Sequence, residues 1–346
     1  MAYQGFIPVN VVTGFLGSGK TTLLQGLLNS PKLSDTAVLV NEFGEVGLDH
    51  HLLQNVTEST LLMDNGCLCC AIRGDLQESL ITLFEQRERG EIPKFQRVVI
   101  ETSGLADPVP IAYTVLAEPI LQHHFRLGNV ITTVDAINGK SQLGEFEESV
   151  KQVGVADRLV LTKSDMASTE DVTALRETLG RLNVSAPIFD AAQDDLSPDR
   201  LIVEDLYDVE GKAREVDYWR AKDDHVGHDH DHDDRSHDDH GHTSGISSFV
   251  LQFDGSLDWT AFGVWMTMLL NHHGDKVLRI KGMLNVEGMP TPVLINGVQH
   301  VVHPPQHLEA WPDDDHRSRI VFIVRDIAQV KIEASLAAFN GLANAA

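Results

Sequence analysis

The sequence predicts an α/β fold, a mostly parallel sheet with helices on both faces, followed by a smaller α+β C-terminal domain. Three observations carry this expectation. Short, uniformly apolar runs alternate with helix-periodic segments through the first two hundred residues, as parallel strands buried on both faces do. A glycine-rich turn, Gly14 to Thr21, joins the first of these strands to the first helix. A tract of histidine and aspartate then breaks the pattern, and strand-like sequence resumes at Ile246. With 346 residues the chain exceeds the usual size of one domain. The expected division is residues 1–210, a polar linker over 211–245, and residues 246–346.

Taken in order, Phe6 to Val12 reads as a buried strand and Thr21 to Leu28 as a helix. Thr36 to Val40 is a second strand and Thr60 to Met63 a third. Leu76, Leu80, Leu83 and Phe84 recur at helical spacing within Asp75 to Glu88. Strands follow at Arg97–Ile100, Asn129–Val134, Arg158–Leu161 and Pro187–Phe189, with helical segments between them such as Glu170–Leu179. Asp223 to His242 holds seven histidines and eight aspartates with almost no apolar residue, so it buries no core and reads as a linker. Beyond it, Ser247–Phe253 and Lys276–Val286 read as strands, and Leu257–Leu270 as a helix. Pro292–Val302 reads as a hairpin turning at Asn296-Gly297. Arg319–Val324 is the last strand and Ile327–Phe339 the closing helix.

Composition narrows the function classes. Apolar residues make up 42%, enough for sizeable cores, while a net charge of −24 and 6% aromatic residues disfavour nucleic acid as a partner. The first basic side chain is Lys20, and no apolar stretch reaches the length of a membrane span. Neither a signal peptide nor a membrane partner is therefore expected. Three clustered thiols fit a reducing compartment, so a soluble, cytoplasmic protein is the expectation.

Gly14 to Thr21 fits G-x-x-x-x-G-K-[ST] between a strand and a helix. Glycines let the backbone N–H groups curl toward phosphates at a helix N-terminus. The candidate nucleotide contacts are Gly14, Gly17, Ser18, Gly19, Lys20, Thr21 and Thr22. Lys20 reaches toward the β- and γ-phosphates in this reading, and Thr21 ligates Mg²⁺. Glu101, ending an apolar strand, is the acid expected near Mg²⁺, directly or through water, and Gly104 offers a main-chain N–H to the γ-phosphate. Lys20, Thr21 and Glu101 are thus the candidate catalytic residues. Thr162-Lys163-Ser164-Asp165 resembles the N-K-x-D element that reads guanine, with Asp165 choosing the base, Lys163 stacking along it, and threonine where asparagine is usual.

All three cysteines lie in Cys67-Leu68-Cys69-Cys70. Thiolates suit zinc, cobalt or copper(I). A buried apolar cluster or a disulfide are the alternatives, though a Cys69–Cys70 bridge strains the intervening peptide and an odd count leaves one thiol over. Three sulfurs fall one short of a closed tetrahedral shell, which suits an ion that must be exchanged.

Gly14 to Thr21, Asn41-Glu42-Phe43-Gly44, Cys67 to Cys70, and Glu101-Thr102-Ser103-Gly104-Leu105-Ala106-Asp107-Pro108, in this order, resemble the CobW family of GTPase metallochaperones. The likeness covers most of the chain, because family members also carry a His-rich linker and a smaller C-terminal domain. It implies a P-loop NTPase fold of SIMIBI type, GTP and Mg²⁺ as cofactors, and delivery of Zn²⁺ or Co²⁺ to a client metalloprotein or metal-inserting enzyme. Relatives serve zinc homeostasis, cobalamin synthesis and nitrile hydratase maturation, so metal and client stay open. A storage or sensing protein with little turnover, a nitrile-hydratase-type activator, and a P-loop small-molecule kinase (which has no use for C-x-C-C) are the competing readings.

Within the first of these readings, Glu42 is either the fourth ligand of the transfer metal or a solvated acid near Mg²⁺. His225, His228, His230, His232, His237, His240 and His242 form weak, overlapping sites that buffer metal, or simply a solvated tether. His123, His124 and the C-terminal-domain histidines read as surface residues rather than ligands. No water-orienting glutamine is identifiable, so slow intrinsic turnover is expected. A homodimer that depends on nucleotide or metal is a further expectation.

Overall fold

The apolar runs of the first two hundred residues become the strands of one sheet. The structure is a computed structural model that describes residues 6–41, 60–62, 68–71, 76–202, 245–312 and 314–343. Glu42, Cys67 and the seven linker histidines lie outside the described residues. The first sheet contains β1 (Ile7–Gly14), β2 (Thr36–Asn41), β3 (Thr60–Leu62), β4 (Leu68–Ala71), β5 (Arg97–Thr102), β6 (Phe125–Asp135), β7 (Arg158–Thr162) and β8 (Ile188–Asp190). Their spatial order is β3-β4-β2-β5-β1-β6-β7-β8, parallel throughout except for β3.

Both faces of this sheet are buried. On one, Val12, Val38, Val99, Ile131 and Val160 pack with Leu23, Leu24, Leu27 and Leu28 of α1 (Lys20–Leu28). On the other, Val11, Leu39, Ile100 and Leu161 join a larger core. That core draws on α2 (Leu76–Arg89), α3 (Val109–Ala117), α4 (Gly139–Glu145), α5 (Glu147–Val155) and α6 (Thr169–Leu182). A short helix, α7 (Pro198–Leu201), ends this region. His124 stacks on Phe84 with ring centroids 4.0 Å apart.

The sequence predicts no strand at the cysteines. Cys69 and Cys70 lie within β4, and among the described strands of this sheet β3 alone runs antiparallel to its neighbour. The reason is chain length. Only residues 63–67 separate the two strands, whereas a parallel crossover needs a dozen or more.

The second sheet is antiparallel, built from β9 (Ile246–Phe253), β10 (Val277–Leu284), β11 (Val293–Val298), β12 (Val301–Val302), β13 (Gln306–His307) and β14 (Ser318–Arg325). Phe262, Trp265, Met266 and Leu269 of α8 (Trp259–His273) and Ile332 and Leu336 of α9 (Gln329–Ala343) cover one face. The hairpin does not turn at Asn296-Gly297. These residues pair with Lys281 and Ile280 inside β11, and the chain reverses at Gln299-His300, where Gln299 takes φ +48°. The uninterrupted burial of Val293–Val298 favours ladder pairing over a turn, and Gly297 lies close to the returning strand. A Cβ there would stand 3.2 Å from the Val301 carbonyl oxygen.

The other face of the second sheet meets the first domain. Leu278, Val298 and Ile323 share a core with Val150, Val153 and Val155. At its centre Asp157 is 1% exposed and pairs with Arg279 and with Lys281, the latter at 2.7 Å. Its other oxygen accepts the Val130 N–H at 2.9 Å. Burial pushes the carboxyl upward, but the two cations and the hydrogen bonds together outweigh it and hold the group far below the usual carboxylate range.

Replacing Asp157 by Asn should destabilise the chain by about 3–5 kcal/mol, because two buried cations lose their counter-charge. Denaturant titration measures it. A group with a depressed folded pKa contributes its stability above its unfolded value. That contribution should therefore fade as pH drops below about 4 in wild type, and the fading should be reduced in Asp157→Asn.

Candidate functional site

The loop between β1 and α1 takes the backbone shape its glycines allow. Gly14, Gly17 and Gly19 have φ of +142°, +72° and +88°, values that side chains with a Cβ rarely adopt. A Cβ on Gly14 would also fall 2.3 Å from Thr133 Oγ1. Lys20 begins α1 and folds its ammonium back onto the carbonyls of Gly14 (2.9 Å) and Phe15 (3.1 Å). It is 9% exposed. Burial lowers its pKa, opposed in part by the charge of Glu101. Ser18 Oγ shares a hydrogen bond with Thr133 Oγ1 at 2.6 Å. Thr22, one residue into the helix beyond Thr21, is exposed.

Strand pairing sets the acid beside this loop. Val12 of β1 stands opposite Glu101 of β5 in the parallel ladder. Thr21 Oγ1 donates to Glu101 Oε1 at 2.5 Å, and Thr13 and Thr102 share a hydroxyl hydrogen bond at 2.8 Å. The chain then crosses directly over the P-loop. A Cβ on Gly104 would meet Leu16 N and Cα at 2.7 Å, so only glycine passes there without displacement.

Beyond β7, Thr162 Oγ1 donates to the Ser18 carbonyl at 2.8 Å. The threonine that departs from the N-K-x-D pattern thus ties this segment to the P-loop. Lys163, at φ +57°, an uncommon conformation for a non-glycine residue, donates to the Gly17 carbonyl (2.8 Å) and Asp135 (2.7 Å). Asp165 is exposed in the following turn.

Asp135, Thr133, Thr102 and Gln152 were not singled out by sequence reasoning. Asp135 ends β6 as an acid after an apolar strand, the same signal that marked Glu101. It accepts the Ile137 N–H at 2.8 Å, the Asn138 side chain and Lys163. Burial raises its pKa, but these bonds together hold it below the usual value.

Parallel register also relates the cysteine segment to this edge. Ala71 stands opposite Val40, Val40 opposite Glu101, and Glu101 opposite Val12. Cys70 is opposite Leu39 and Cys69 opposite Val38, one and two residues short of that row. β4 lies two ladder spacings from β5, about 10 Å. Among the described residues no group of three or more His, Cys, Asp or Glu is gathered to hold a metal ion. His300 caps the Leu270 carbonyl at 3.0 Å instead.

The family described as CobW/HypB/UreG, nucleotide-binding domain, matches residues 8–190, and the cobalamin synthesis protein cobW C-terminal domain matches residues 246–340. The chain belongs to the CobW/HypB/UreG family. It is 34% identical over 331 residues to the zinc chaperone YjiA of Escherichia coli, covering 96% of this chain and 98% of that one. The zinc chaperone CobW of a Sinorhizobium species is 27% identical, over 97% and 98% of the two chains. The solved structure of Zn(II)-bound YjiA GTPase from E. coli superposes with a TM-score of 0.72 at 32% identity, over 96% of this chain and 99% of that one.

For this CobW-family chain, Gly104→Ala should weaken binding of a non-hydrolysable GTP analogue about tenfold or more, since P-loop backbone cannot retreat cheaply. Titration with a fluorescent analogue measures it. Unchanged affinity would show the crossing to be slack.

Proposed function

We propose that this chain is a GTP-hydrolysing zinc chaperone that loads and releases its ion in step with nucleotide state. The observation that carries the reading is the register just described. It puts Cys70 and Cys69 of β4 one and two residues short of the row that holds Glu101 and Val12, the latter in the strand that leads to the P-loop. The names of the relatives, zinc chaperones and zinc-regulated GTPase metalloprotein activators, support the same reading.

The residues fit a nucleotide with Mg²⁺. Lys20 carries a buried charge held by carbonyls of its own loop and the field of Glu101, and a polyphosphate offers it a better partner. Thr21 and Glu101 already meet, hydroxyl to carboxylate, and would hold Mg²⁺ directly or through water. The ion neutralises charge on the β- and γ-phosphate oxygens. Ser18, Gly19 and Thr22 sit at the N-terminus of α1, whose N–H groups favour phosphate. Gly104 supplies the N–H that senses the γ-phosphate. Asp165 selects guanine, and Lys163 flanks the base.

Zinc is the cargo. Cys67, Cys69 and Cys70 bind it as thiolates, and Glu42, next to the end of β2, completes the shell. GTP assembles this set and hydrolysis loosens it, handing the ion to a client metalloprotein. The histidine tract holds further ions weakly. Cobalt in place of zinc and a homodimeric form remain parts of this proposal, as does a cytoplasmic setting. Among the described residues no helix is long and apolar enough to cross a membrane.

Zinc affinity measured with GTP analogue and Mg²⁺, with GDP and Mg²⁺, and without nucleotide should differ among the three states. Zinc should tighten the analogue by the same factor as the analogue tightens zinc. Equal zinc affinity in all three would overturn the coupling. Lys20→Ala should cut GTP hydrolysis by about a hundredfold or more. A wild-type chain that binds zinc without hydrolysing GTP would instead favour the storage or sensing reading. Deleting residues 223–242 should remove the weaker metal equivalents in a zinc titration and leave the tight one, whereas loss of the tight one would make the tract the primary receptor.

A further inference from the structure

Helix α5 touches both the nucleotide edge and the second domain. On the first side, Gln152, 1% exposed, donates from Nε2 to the carbonyls of Gly104 (3.2 Å) and Ala106 (2.9 Å). Both belong to the loop that crosses the P-loop after β5. Lys151 pairs with Asp107 of that loop at 3.4 Å. Phe146, at the start of α5, contacts Phe15 of the P-loop with ring centroids 4.7 Å apart.

On the other side, Gly154 lies so near the second sheet that an added Cβ would be 3.2 Å from Leu278 Cδ1 and 3.5 Å from Ile323 Cγ2. Glu147 meets Arg325 at 3.4 Å, and Asp157, just past the helix, holds Arg279 and Lys281. The carbonyl of Gln152 accepts the Thr132 hydroxyl at 2.8 Å, which seats the helix on β6.

Packing alone does not ask for glutamine here. Gln152 Oε1 is buried without a partner among the described residues, a cost that an apolar side chain of equal length would avoid. What the amide adds is a two-point hold on the loop that carries Gly104. We propose that Gln152 is a positioning residue: it ties the Gly104–Asp107 loop to α5, so that GTP binding at the loop is transmitted through α5 to the C-terminal domain. The inference rests on the GTPase reading above and adds the route by which nucleotide state reaches the second domain.

The test uses the full chain as wild type, Gln152→Met and Gln152→Glu. Affinities for GDP and for a non-hydrolysable GTP analogue are measured together with amide hydrogen exchange of 277–284 and 318–325 in each state. In wild type, the analogue should change exchange in these two strands relative to GDP. Gln152→Met should keep GDP affinity within about twofold, lose about tenfold in analogue affinity and lose the exchange response. Gln152→Glu should behave likewise near neutral pH and regain the response as pH falls from about 7.5 to about 5.5. Burial raises the introduced carboxyl's pKa, and the protonated acid donates a hydrogen bond again.

Equal loss of GDP and analogue affinity in Gln152→Met, or an exchange response identical to wild type, overturns the inference and leaves the GTPase reading standing. Absence of an exchange response in wild type that binds both nucleotides does the same. A wild-type chain that binds no guanine nucleotide overturns both.

Discussion

Parallel pairing across β1, β5, β2 and β4 brings four strand ends to one height, and the chemistry of this edge depends on that alignment. In a parallel ladder the register is fixed by evenly spaced hydrogen bonds, and a slip of one residue turns every side chain to the opposite face. Both faces here are packed with Val, Leu and Ile, so the apolar pattern holds the register firmly. Thr21 reaches Glu101, and Thr13 reaches Thr102, only because Val12 and Glu101 are level. The same ladder, extended by two strands, carries the cysteine segment to within one or two residues of that row.

The edge is also tied together crosswise. Ser18 contacts Thr133, the Thr162 hydroxyl holds the Ser18 carbonyl, and Lys163 spans Gly17 and Asp135. Three of these bonds run from the P-loop to the ends of β6 and β7, so the loop is preset before any ligand arrives. Such preorganisation lowers the ordering cost of binding. The loop after β5 is held differently, by Gln152 and Lys151 of a helix that also supports the second domain. Its position is therefore shared between the nucleotide edge and the domain interface.

That interface joins an apolar core to one buried carboxylate between two buried cations. Breaking such a cluster costs far more than an apolar pair of the same size would, because a charge is left without its partner. It also fixes orientation, since Asp157 sits at the foot of β7, whose other end bears Thr162 and Asp165.

Much of the first domain was legible in the sequence because its signals are local. Apolar runs marked the strands of the first sheet except β4, the glycines of residues 14–19 marked a loop with positive φ, and an acid closing an apolar strand marked Glu101. The Cys67–Cys70 spacing pointed to a metal chemistry and carried no geometry. The antiparallel direction of β3 was not legible, since its cause is the short link 63–67 rather than its own residues. Asn296-Gly297 was misread as a turn because the dipeptide carries that preference locally, while pairing with Ile280 and Lys281 overrides it. Gln152 and the Asp157–Arg279 pair, separated by 122 residues, carry no sequence signature. Local propensity and spacing determined which candidate groups this chain carries. Long-range strand pairing and interdomain packing, whose partners are distant in the chain, decided which of those groups meet.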